Sequence, residues 1–218
     1  MPHGRLVCDG CKDKPVCIEE PRCKKCSKPL LSSEQEYCYD CSVKNFHYQR
    51  GYSLWLYDGL MQKSMIAFKY NGRKEYASYY ANEIVTHFTK EIRSINPDVI
   101  MPIPVHSARR RQRGYNQAEL LALELGRRLH ILVRSDVLIR TVKTRPQKGL
   151  SNIERMKNLE KAFAVNEVYK DECRMYHKVM LVDDIYTTGS TIEACSKILL
   201  SSGAGEVYYV TLCIGQGY

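Results

Sequence analysis

The segment "VMLVDDIYTTGST", residues 179–191, constrains the fold of this chain more than any other stretch. Its apolar run predicts a buried β-strand that ends on two adjacent carboxylates, Asp183 and Asp184. A short loop of small and hydroxyl-bearing residues then leads directly into the helical pattern "STIEACSKILLSS". Because ligands of open α/β sheets bind outside the carboxyl ends of the strands, we expect a small-molecule site at this point.

Strand and helix patterns alternate through the rest of the chain. Helices are predicted at 59–70, at 75–95 and from Ala118 to Leu129, the last from apolar residues spaced i, i+3 and i+4. Apolar runs that predict strands are "YSLWLY", "VIMPIPV", "KVMLVDD" and "GEVYYVTLCIG", whereas the basic stretch 106–116 is predicted as a loop. We therefore expect an α/β fold with a mostly parallel sheet flanked by helices.

The loop after the acidic pair has the chemistry of a phosphate site. Its residues are Thr187, Thr188, Gly189, Ser190 and Thr191. Their hydroxyls and backbone N–H groups would converge at the N-terminus of the following helix, where the helix dipole favours an anion. The two carboxylates would accept hydrogen bonds from the vicinal hydroxyls of a ribose and help to position Mg²⁺ through water. An acidic strand end capped by a Ser/Thr turn is the alternative.

Cysteines are concentrated at the N-terminus. Seven of the ten lie within the first 41 residues, six of them as C-x-x-C pairs, and in a reducing compartment this pattern indicates metal binding. The seven are Cys8, Cys11, Cys17, Cys23, Cys26, Cys38 and Cys41. The last two pairs predict a tetrahedral, structural Zn²⁺ site.

Seven thiols leave the number of ions open. A second ion held by Cys8, Cys11, Cys17 and a fourth ligand such as His3 is one alternative, and an unused pair is the other. The composition changes near residue 45, where a cysteine-rich, apolar-poor stretch ends. We therefore expect a zinc-binding module at 1–45, in which the metal replaces a core too small to form, followed by the main domain at 46–218.

The net charge of +9 is unevenly distributed, because residues 105–160 hold 13 Lys and Arg against 5 Asp and Glu. We expect an anionic partner, whether nucleic acid, a polyphosphate or a phosphorylated metabolite, with a solvated charged face as the alternative. No apolar run approaches the roughly 18 residues of a membrane span, and the N-terminus lacks the apolar core of a secretory signal. A cytoplasmic location is therefore expected.

Residues 179–191 resemble the phosphoribosyl-pyrophosphate (PRPP) motif of type I phosphoribosyltransferases, with its hydrophobic strand, paired acids and T-T-G-x-T loop. The resemblance implies a type I phosphoribosyltransferase-like fold in which the loop holds the 5′-phosphate and Asp183 and Asp184 hold the ribose hydroxyls of Mg²⁺-bound PRPP. The sequence ends at Tyr218, directly after the last predicted strand, so we do not expect the C-terminal hood that reads the base in several of these enzymes.

The order of the motifs narrows this resemblance. The cysteine module precedes "FKYNGR" (68–73), "PIPVHSARRRQRGYNQAELLA" (102–122) and "RTVKTRPQKGLSNIERMKNLEKAF" (140–163), and the PRPP motif follows. This arrangement is similar to the ComF family of competence proteins over nearly the whole chain. Members with assigned roles serve DNA uptake in natural transformation and act on incoming single strands. The resemblance implies single-stranded DNA, a DNA-uptake helicase or other competence proteins as partners, at the inner face of the membrane.

Site residues follow from the same resemblance, motif by motif. The loop after "MPIP" would bind pyrophosphate, with Arg109, Arg110 and Arg113 as candidate anion ligands. Lys69 would add positive charge from the N-terminal side. The segment 143–158 resembles the mobile loop that closes over the substrate in these transferases.

Three functions remain open at this point. The first is a DNA-uptake protein that binds PRPP and single-stranded DNA, with Tyr115 as one stacking platform. The second is an active phosphoribosyltransferase with an unknown nitrogen acceptor, in which Arg109, Arg113, Asp183 and Asp184 form the catalytic set. The third is a zinc-containing adaptor that senses PRPP without transferring it.

Overall fold

The computed structural model describes residues 15–141 and 162–215. Two sheets are present in this part of the chain. The strands of the larger sheet are β1 (Gly51–Leu56), β2 (Val99–Pro102), β3 (Leu132–Val133), β6 (Lys178–Tyr186) and β7 (Glu206–Ile214), and a two-stranded antiparallel pair is formed by β4 (Leu138–Arg140) and β5 (Phe163–Val165). Most of the chain is therefore organised around one five-stranded layer.

The five strands lie in the order β1-β7-β6-β2-β3, and every pairing is parallel. Strand β6, which carries the acidic pair, is central: Val182 pairs with Pro102 on one side, and Asp183 pairs with Thr211 on the other. The expected α/β fold with a mostly parallel sheet is confirmed. The acidic pair lies within β6, which continues to Tyr186, whereas the sequence predicts that the strand ends at Asp184.

Helices cover both faces of the sheet. They are α1 (Tyr39–Val43), α2 (Gly59–Tyr70), α3 (Tyr76–Ile95), α4 (Ser107–Arg113), α5 (Gln117–Leu129), α6 (Lys170–Cys173) and α7 (Ser190–Ser201), with a 3₁₀ turn at Glu167–Tyr169. Val179 and Leu181 pack on the face covered by α7, while Met180 and Val182 pack on the face covered by α2, α3 and α5. Burial on both faces explains the unbroken apolar run at the start of β6. No helix within the described residues has the length and apolar character needed to cross a membrane.

The basic stretch 106–116 is not a simple loop, so that prediction is wrong. It contains the short helix α4, whose N-terminus is capped by His106 Nδ1, which accepts a hydrogen bond of 3.1 Å from the Ala108 N–H. The helix ends at Gly114, whose φ of 81° lies in the left-handed region that glycine adopts without strain. Too few apolar residues fall in this stretch to give a helical period, and the capping residues were its only signal.

The cysteine-rich segment packs against the free edge of the large sheet. Residues on either side of Cys17 bond to β1: Ile18 N–H donates to the Leu54 carbonyl (3.0 Å), and Leu56 N–H donates to the Val16 carbonyl (3.0 Å). Cys23 and Cys26 belong to the same buried cluster as residues of the sheet. The segment therefore covers an edge that would otherwise present unpaired backbone groups.

Candidate functional site

Asp183 and Asp184 lie near the carboxyl end of β6, where an ammonium group meets them. Lys69, on the last turn of α2, places Nζ 2.5 Å from Asp184 Oδ2, and both side chains are mostly buried. The Asp184 N–H donates to Asp183 Oδ1 at 2.8 Å. One lysine therefore partly balances two adjacent carboxyl groups.

The electrostatics of this pair follow from burial. Desolvation, and then the charge of Asp184, raises the pKa of Asp183 to about 8. Burial opposes the charge on Lys69, yet the Asp184 carboxylate outweighs it and raises the pKa of the ammonium above its usual value. The acidic pair is therefore short of positive charge, which a divalent cation would supply.

A cavity of about 150 Å³ joins the acidic pair to residues from several elements. Its charged and hydroxyl-bearing lining consists of Lys69, Arg109, Arg113, Arg140, Asp183, Asp184 and Thr191. The structure thus brings together six residues that the sequence singled out, from α2, α4, β6 and α7. The cavity combines two carboxyl groups with one ammonium and three guanidinium groups, a set of charges suited to a phosphorylated sugar that carries Mg²⁺.

The arginines of α4 have different environments. Arg113 donates to Gln117 Oε1 (3.0 Å) and to the Tyr70 hydroxyl (2.8 Å), and its guanidinium lies 4.7 Å from the centre of the Tyr70 ring. Arg110 instead pairs with Glu119 at 3.0 Å and is outside the cavity lining. Contacts with Gln117 and Tyr70 therefore fix the Arg113 side chain at the cavity, whereas the Arg110 side chain is directed to the Glu119 carboxylate.

Tyr115 does not provide the stacking face that the sequence predicts. The side chain is 6% exposed, and its hydroxyl donates to the Phe68 carbonyl. Lys74 Nζ lies 5.1 Å from the ring centre. The ring belongs to the core because α4 ends at Gly114 and turns the chain inward before α5 begins.

The loop between β6 and α7 is shaped by one glycine. Gly189 has a φ of 79° and caps α7 without a side chain, so no side-chain acceptor occupies the first N–H groups of that helix. A Cβ atom at this position would lie 2.4 Å from the Tyr186 hydroxyl oxygen. The hydroxyls of Thr188 and Ser190 lie 2.8 Å apart and hydrogen-bond to each other, and Thr187 is exposed. The first backbone N–H groups of α7 therefore remain available to donate hydrogen bonds to an anion.

The N-terminal cysteines form a second candidate site. The sulfur atoms of Cys23, Cys26, Cys38 and Cys41 all lie within 4.8 Å of one another, and Cys26 Sγ is 3.6 Å from Cys38 Sγ. Four thiolates bound tetrahedrally to Zn²⁺ at about 2.3 Å would be about 3.8 Å apart. The four residues therefore fit a structural zinc ion. Cys17 lies outside this cluster, and Cys8 and Cys11 lie outside the described residues.

Backbone hydrogen bonds shape each C-x-x-C pair for metal binding. The Ser27 N–H donates to the Cys23 carbonyl (2.9 Å), with Ser27 itself at a φ of 66°, and the Ser42 N–H donates to the Cys38 carbonyl (3.0 Å). Hydrogen bonding with Cys26 lowers the pKa of the Cys23 thiol well below its usual value. Lys28, which is buried against Asp40 at 2.8 Å, adds positive charge beside the thiols. The contact with Cys23 in turn raises the pKa of the Cys26 thiol well above its usual value, so the Cys23 thiolate is favoured while Cys26 holds its proton more tightly.

Comparison with known proteins gives the family. No family model matches the chain. The DNA utilization protein YhgH of Salmonella typhimurium is 30% identical over 194 residues, which cover 88% of this chain and 83% of that protein. The chain belongs to the ComF family. The Escherichia coli protein of the same name is 29% identical over 210 residues, or 95% and 89% of the two chains.

Another match to this ComF-family chain is shorter. Competence protein F of Haemophilus influenzae is 42% identical over 111 residues, so the alignment spans 51% of this chain and 48% of that protein. Among solved structures, the purine phosphoribosyltransferase of Pyrococcus horikoshii aligns with a TM-score of 0.38 at 16% identity, over 63% of this chain and 88% of that one.

The polar residues of this cavity that the sequence did not single out are Asn116, Gln117 and Arg140. Arg140 lines the cavity, and burial followed by the charge of Arg109 lowers its pKa below the usual value. Gln117 lines it from the first turn of α5. Arg140 is the one cation in the mostly apolar run "DVLIRTV", and a charge inside such a run was the available signal. The predicted mobile loop, 143–158, lies outside the described residues.

A tyrosine stack connects the thiol cluster to the loop of residues 187–191, the candidate phosphate loop. Tyr209 donates from its hydroxyl to the Cys26 carbonyl (3.2 Å), and its ring stacks on Tyr186 with centroids 5.2 Å apart. The Tyr186 hydroxyl bonds to that of Tyr48 at 2.8 Å and lies against Gly189. In this member of the ComF family the two candidate sites therefore share one packed unit.

Proposed function

We propose that this protein binds Mg²⁺-bound PRPP in the cavity beside β6 and serves the use of incoming DNA in natural competence. The observation that carries the first part is the shared cavity of Asp183, Asp184 and Thr191 with Lys69 and the arginines of α4 and β4. The names of the relatives, competence protein F and DNA utilization protein, support the second part. A cytoplasmic location at the inner face of the membrane, near a DNA-uptake helicase, belongs to the same proposal.

Different residues of the chain contact different parts of the ligand. The hydroxyls and N–H groups from Thr187 to Thr191 hold the 5′-phosphate at the start of α7. Asp183 and Asp184 accept hydrogen bonds from the ribose hydroxyls and hold the bound Mg²⁺, which supplies charge neutralisation to the pyrophosphate. Arg109 and Arg113 donate to the pyrophosphate oxygens. Lys69 then exchanges its contact with Asp184 for a phosphate oxygen.

Calorimetric titration of the zinc-loaded protein with PRPP and MgCl₂ tests this proposal. We expect saturable binding that is lost in Asp184→Asn, because one charge of the acidic pair is removed. Asp171→Asn is the matched control, since that carboxylate is exposed on the surface. A folded wild-type protein that releases no heat and shows no saturation would overturn the assignment of this cavity.

Phosphoribosyl transfer is the second candidate, favoured by the position of Arg109 and Arg113 in the same cavity. An acceptor nitrogen would attack C1 of the ribose, the bond from C1 to the pyrophosphate oxygen would break, and pyrophosphate would leave with the electron pair while the acceptor proton passes to solvent. The arginines would stabilise the leaving group. Acceptor-dependent release of pyrophosphate, abolished by Asp184→Asn, is the expected result. A survey of bases without release would leave binding alone.

Single-stranded DNA binding completes the proposal and is supported by the net charge of +9. Affinity should fall steeply with salt, because phosphate contacts release counterions. A PRPP-sensing adaptor would be distinguished by DNA affinity that changes when PRPP binds, since coupling between two sites is reciprocal.

A further inference from the structure

A second recess lies at the opposite end of the sheet from the phosphate loop. Two adjoining cavities of about 420 Å³ and 140 Å³ share Arg50, Tyr52 and Glu91, and they open between the last turns of α3 and the amino ends of β1, β7 and β6. We call this recess the amino-end groove. Its main residues are Arg50, Tyr52, Lys90, Glu91, Lys178 and Tyr208. Because β6 runs from Lys178 to Tyr186, the groove is about 25 Å from the phosphate loop.

The groove carries unneutralised positive charge. Arg50 and Lys90 are exposed, and within residues 15–141 and 162–215 neither forms an ion pair with a carboxylate. Lys178 Nζ donates to the Ile95 carbonyl at 3.0 Å and leaves its charge on the floor of the groove. In the larger cavity, which is open to solvent, three cations therefore face one carboxylate, Glu91, and the smaller cavity adds the ion pair of Arg22 with Glu20. Such a groove attracts a phosphate backbone.

Aromatic rings accompany these charges. The guanidinium of Arg50 lies 5.3 Å from the centre of the Tyr52 ring. Tyr208 is half-buried, and its hydroxyl donates to Glu206 Oε2 at 2.9 Å, which holds the ring at the groove. A ring held in this way is a preformed platform on which a base can stack at little entropic cost.

Glu91 supplies a hydrogen-bond acceptor that lacks a partner. Its Oε2 atom is buried and accepts no hydrogen bond within the part of the chain that the structure describes. Buried carboxylate oxygens are costly when they remain unpaired, so an unsatisfied one in a groove calls for a ligand that donates. The exocyclic amino groups of cytosine, adenine and guanine are such donors.

We propose that the amino-end groove binds a segment of single-stranded DNA. Arg50, Lys90 and Lys178 contact the phosphates, Tyr208 stacks on a base, and Glu91 accepts from base amino groups. The inference rests on the DNA binding proposed above and gives it a location separate from the PRPP cavity. A strand held at the amino ends of β1, β7 and β6 leaves the carboxyl ends free for the phosphoribosyl ligand.

Fluorescence anisotropy with a labelled 20-mer of alternating dC and dT, over a range of salt concentrations, tests this inference. The double variant Arg50→Ala/Lys90→Ala should bind at least about tenfold more weakly at 0.1 M salt, and its salt slope should be shallower by about 1.4, the value for two lost phosphate contacts. Lys170→Ala/Arg174→Ala is the matched control, because it removes two exposed charges elsewhere and should leave affinity within about twofold. Tyr208→Leu should weaken binding about tenfold with an unchanged salt slope.

The possible results distinguish a wrong location for the DNA from an absence of DNA binding. Equal affinities and salt slopes for Arg50→Ala/Lys90→Ala and its control would overturn the groove while leaving DNA binding intact. A wild-type protein that does not bind the 20-mer at low salt, yet still binds Mg²⁺ and PRPP, would overturn DNA binding itself. Displacement of the 20-mer by poly-glutamate as readily as by unlabelled DNA would overturn the nucleic-acid assignment in favour of an acidic protein.

Discussion

The cavity proposed to bind PRPP and the thiol cluster are built in opposite ways. The cavity draws on α2, α4, β4, β6 and α7, so its residues span more than 120 positions of the chain and are held by a packed parallel sheet. The four thiols lie within residues 23–41. Apart from the sheet on which they pack, they have few apolar neighbours. We therefore expect packing to stabilise the cavity and a bound metal to stabilise the N-terminal segment.

Removal of a thiol should have the largest effect. Cys26→Ser, or chelation of zinc, is expected to unfold the N-terminal segment and to cost at least about 5 kcal/mol, which corresponds to a decrease of 10 °C or more in the melting temperature. Scanning calorimetry together with a colorimetric zinc assay measures both consequences. Cys17→Ser is the control and should keep the ion of the four-thiol cluster. Full zinc content in Cys26→Ser would contradict this ligand set.

Loss of the lysine that faces the acidic pair should come next. Lys69→Met leaves two buried carboxyl groups without their cation, and breaking a buried pair in this way costs roughly 3 to 5 kcal/mol. Because Mg²⁺ can replace the missing charge, it should raise the melting temperature of this variant more than that of the wild type. Lys69→Arg keeps the charge and should behave nearly as the wild type. The same response to Mg²⁺ in all three proteins would count against a cation site at Asp183 and Asp184.

A change in the phosphate loop should have a smaller effect. Gly189→Ala introduces a Cβ atom at a φ of 79° and 2.4 Å from the Tyr186 hydroxyl oxygen, so the loop must shift. We expect PRPP affinity to fall by about 1 to 3 kcal/mol while the fold persists. Adding Tyr186→Phe removes the closest contact and should restore part of the loss. If the single variant binds PRPP as the wild type does, this loop does not hold the phosphate.

The smallest effect concerns pH. Since the pKa of Asp183 is raised to about 8, its carboxyl group is largely protonated at pH 7 and a cation must displace the proton. Affinity for PRPP with Mg²⁺ should therefore rise from pH 6.5 to 9 and level off above the pKa, by at most about tenfold for each pH unit below it. Asp184→Glu, which keeps the neighbouring charge, should retain the rise. A flat profile for the wild type would exclude this titration.

The sequence predicted those parts of the fold and site whose signal is local. The run "KVMLVDD", the helix that follows it and the two C-x-x-C pairs each carry their own pattern, and the structure has β6, α7 and a four-thiol cluster at these positions. The helix α4 and the burial of Tyr115 were not predicted, because each depends on the turn at Gly114 and on contacts with α2. Arg140 was missed for a related reason: its place in the cavity depends on the packing of β4 and not on its neighbours in sequence.

By itself, the sequence determined the α/β alternation, the hydroxyl-rich loop after the acidic pair and the thiol pairs, because short-range periodicity and residue type are sufficient for these features. Only the tertiary structure decided which cations meet the acidic pair, that Lys69 contacts Asp184, and that tyrosines join the two sites. It also assembled the amino-end groove from α3, β1, β6 and β7. Contacts between distant residues are set by how helices pack on a sheet, and a linear pattern does not carry that information.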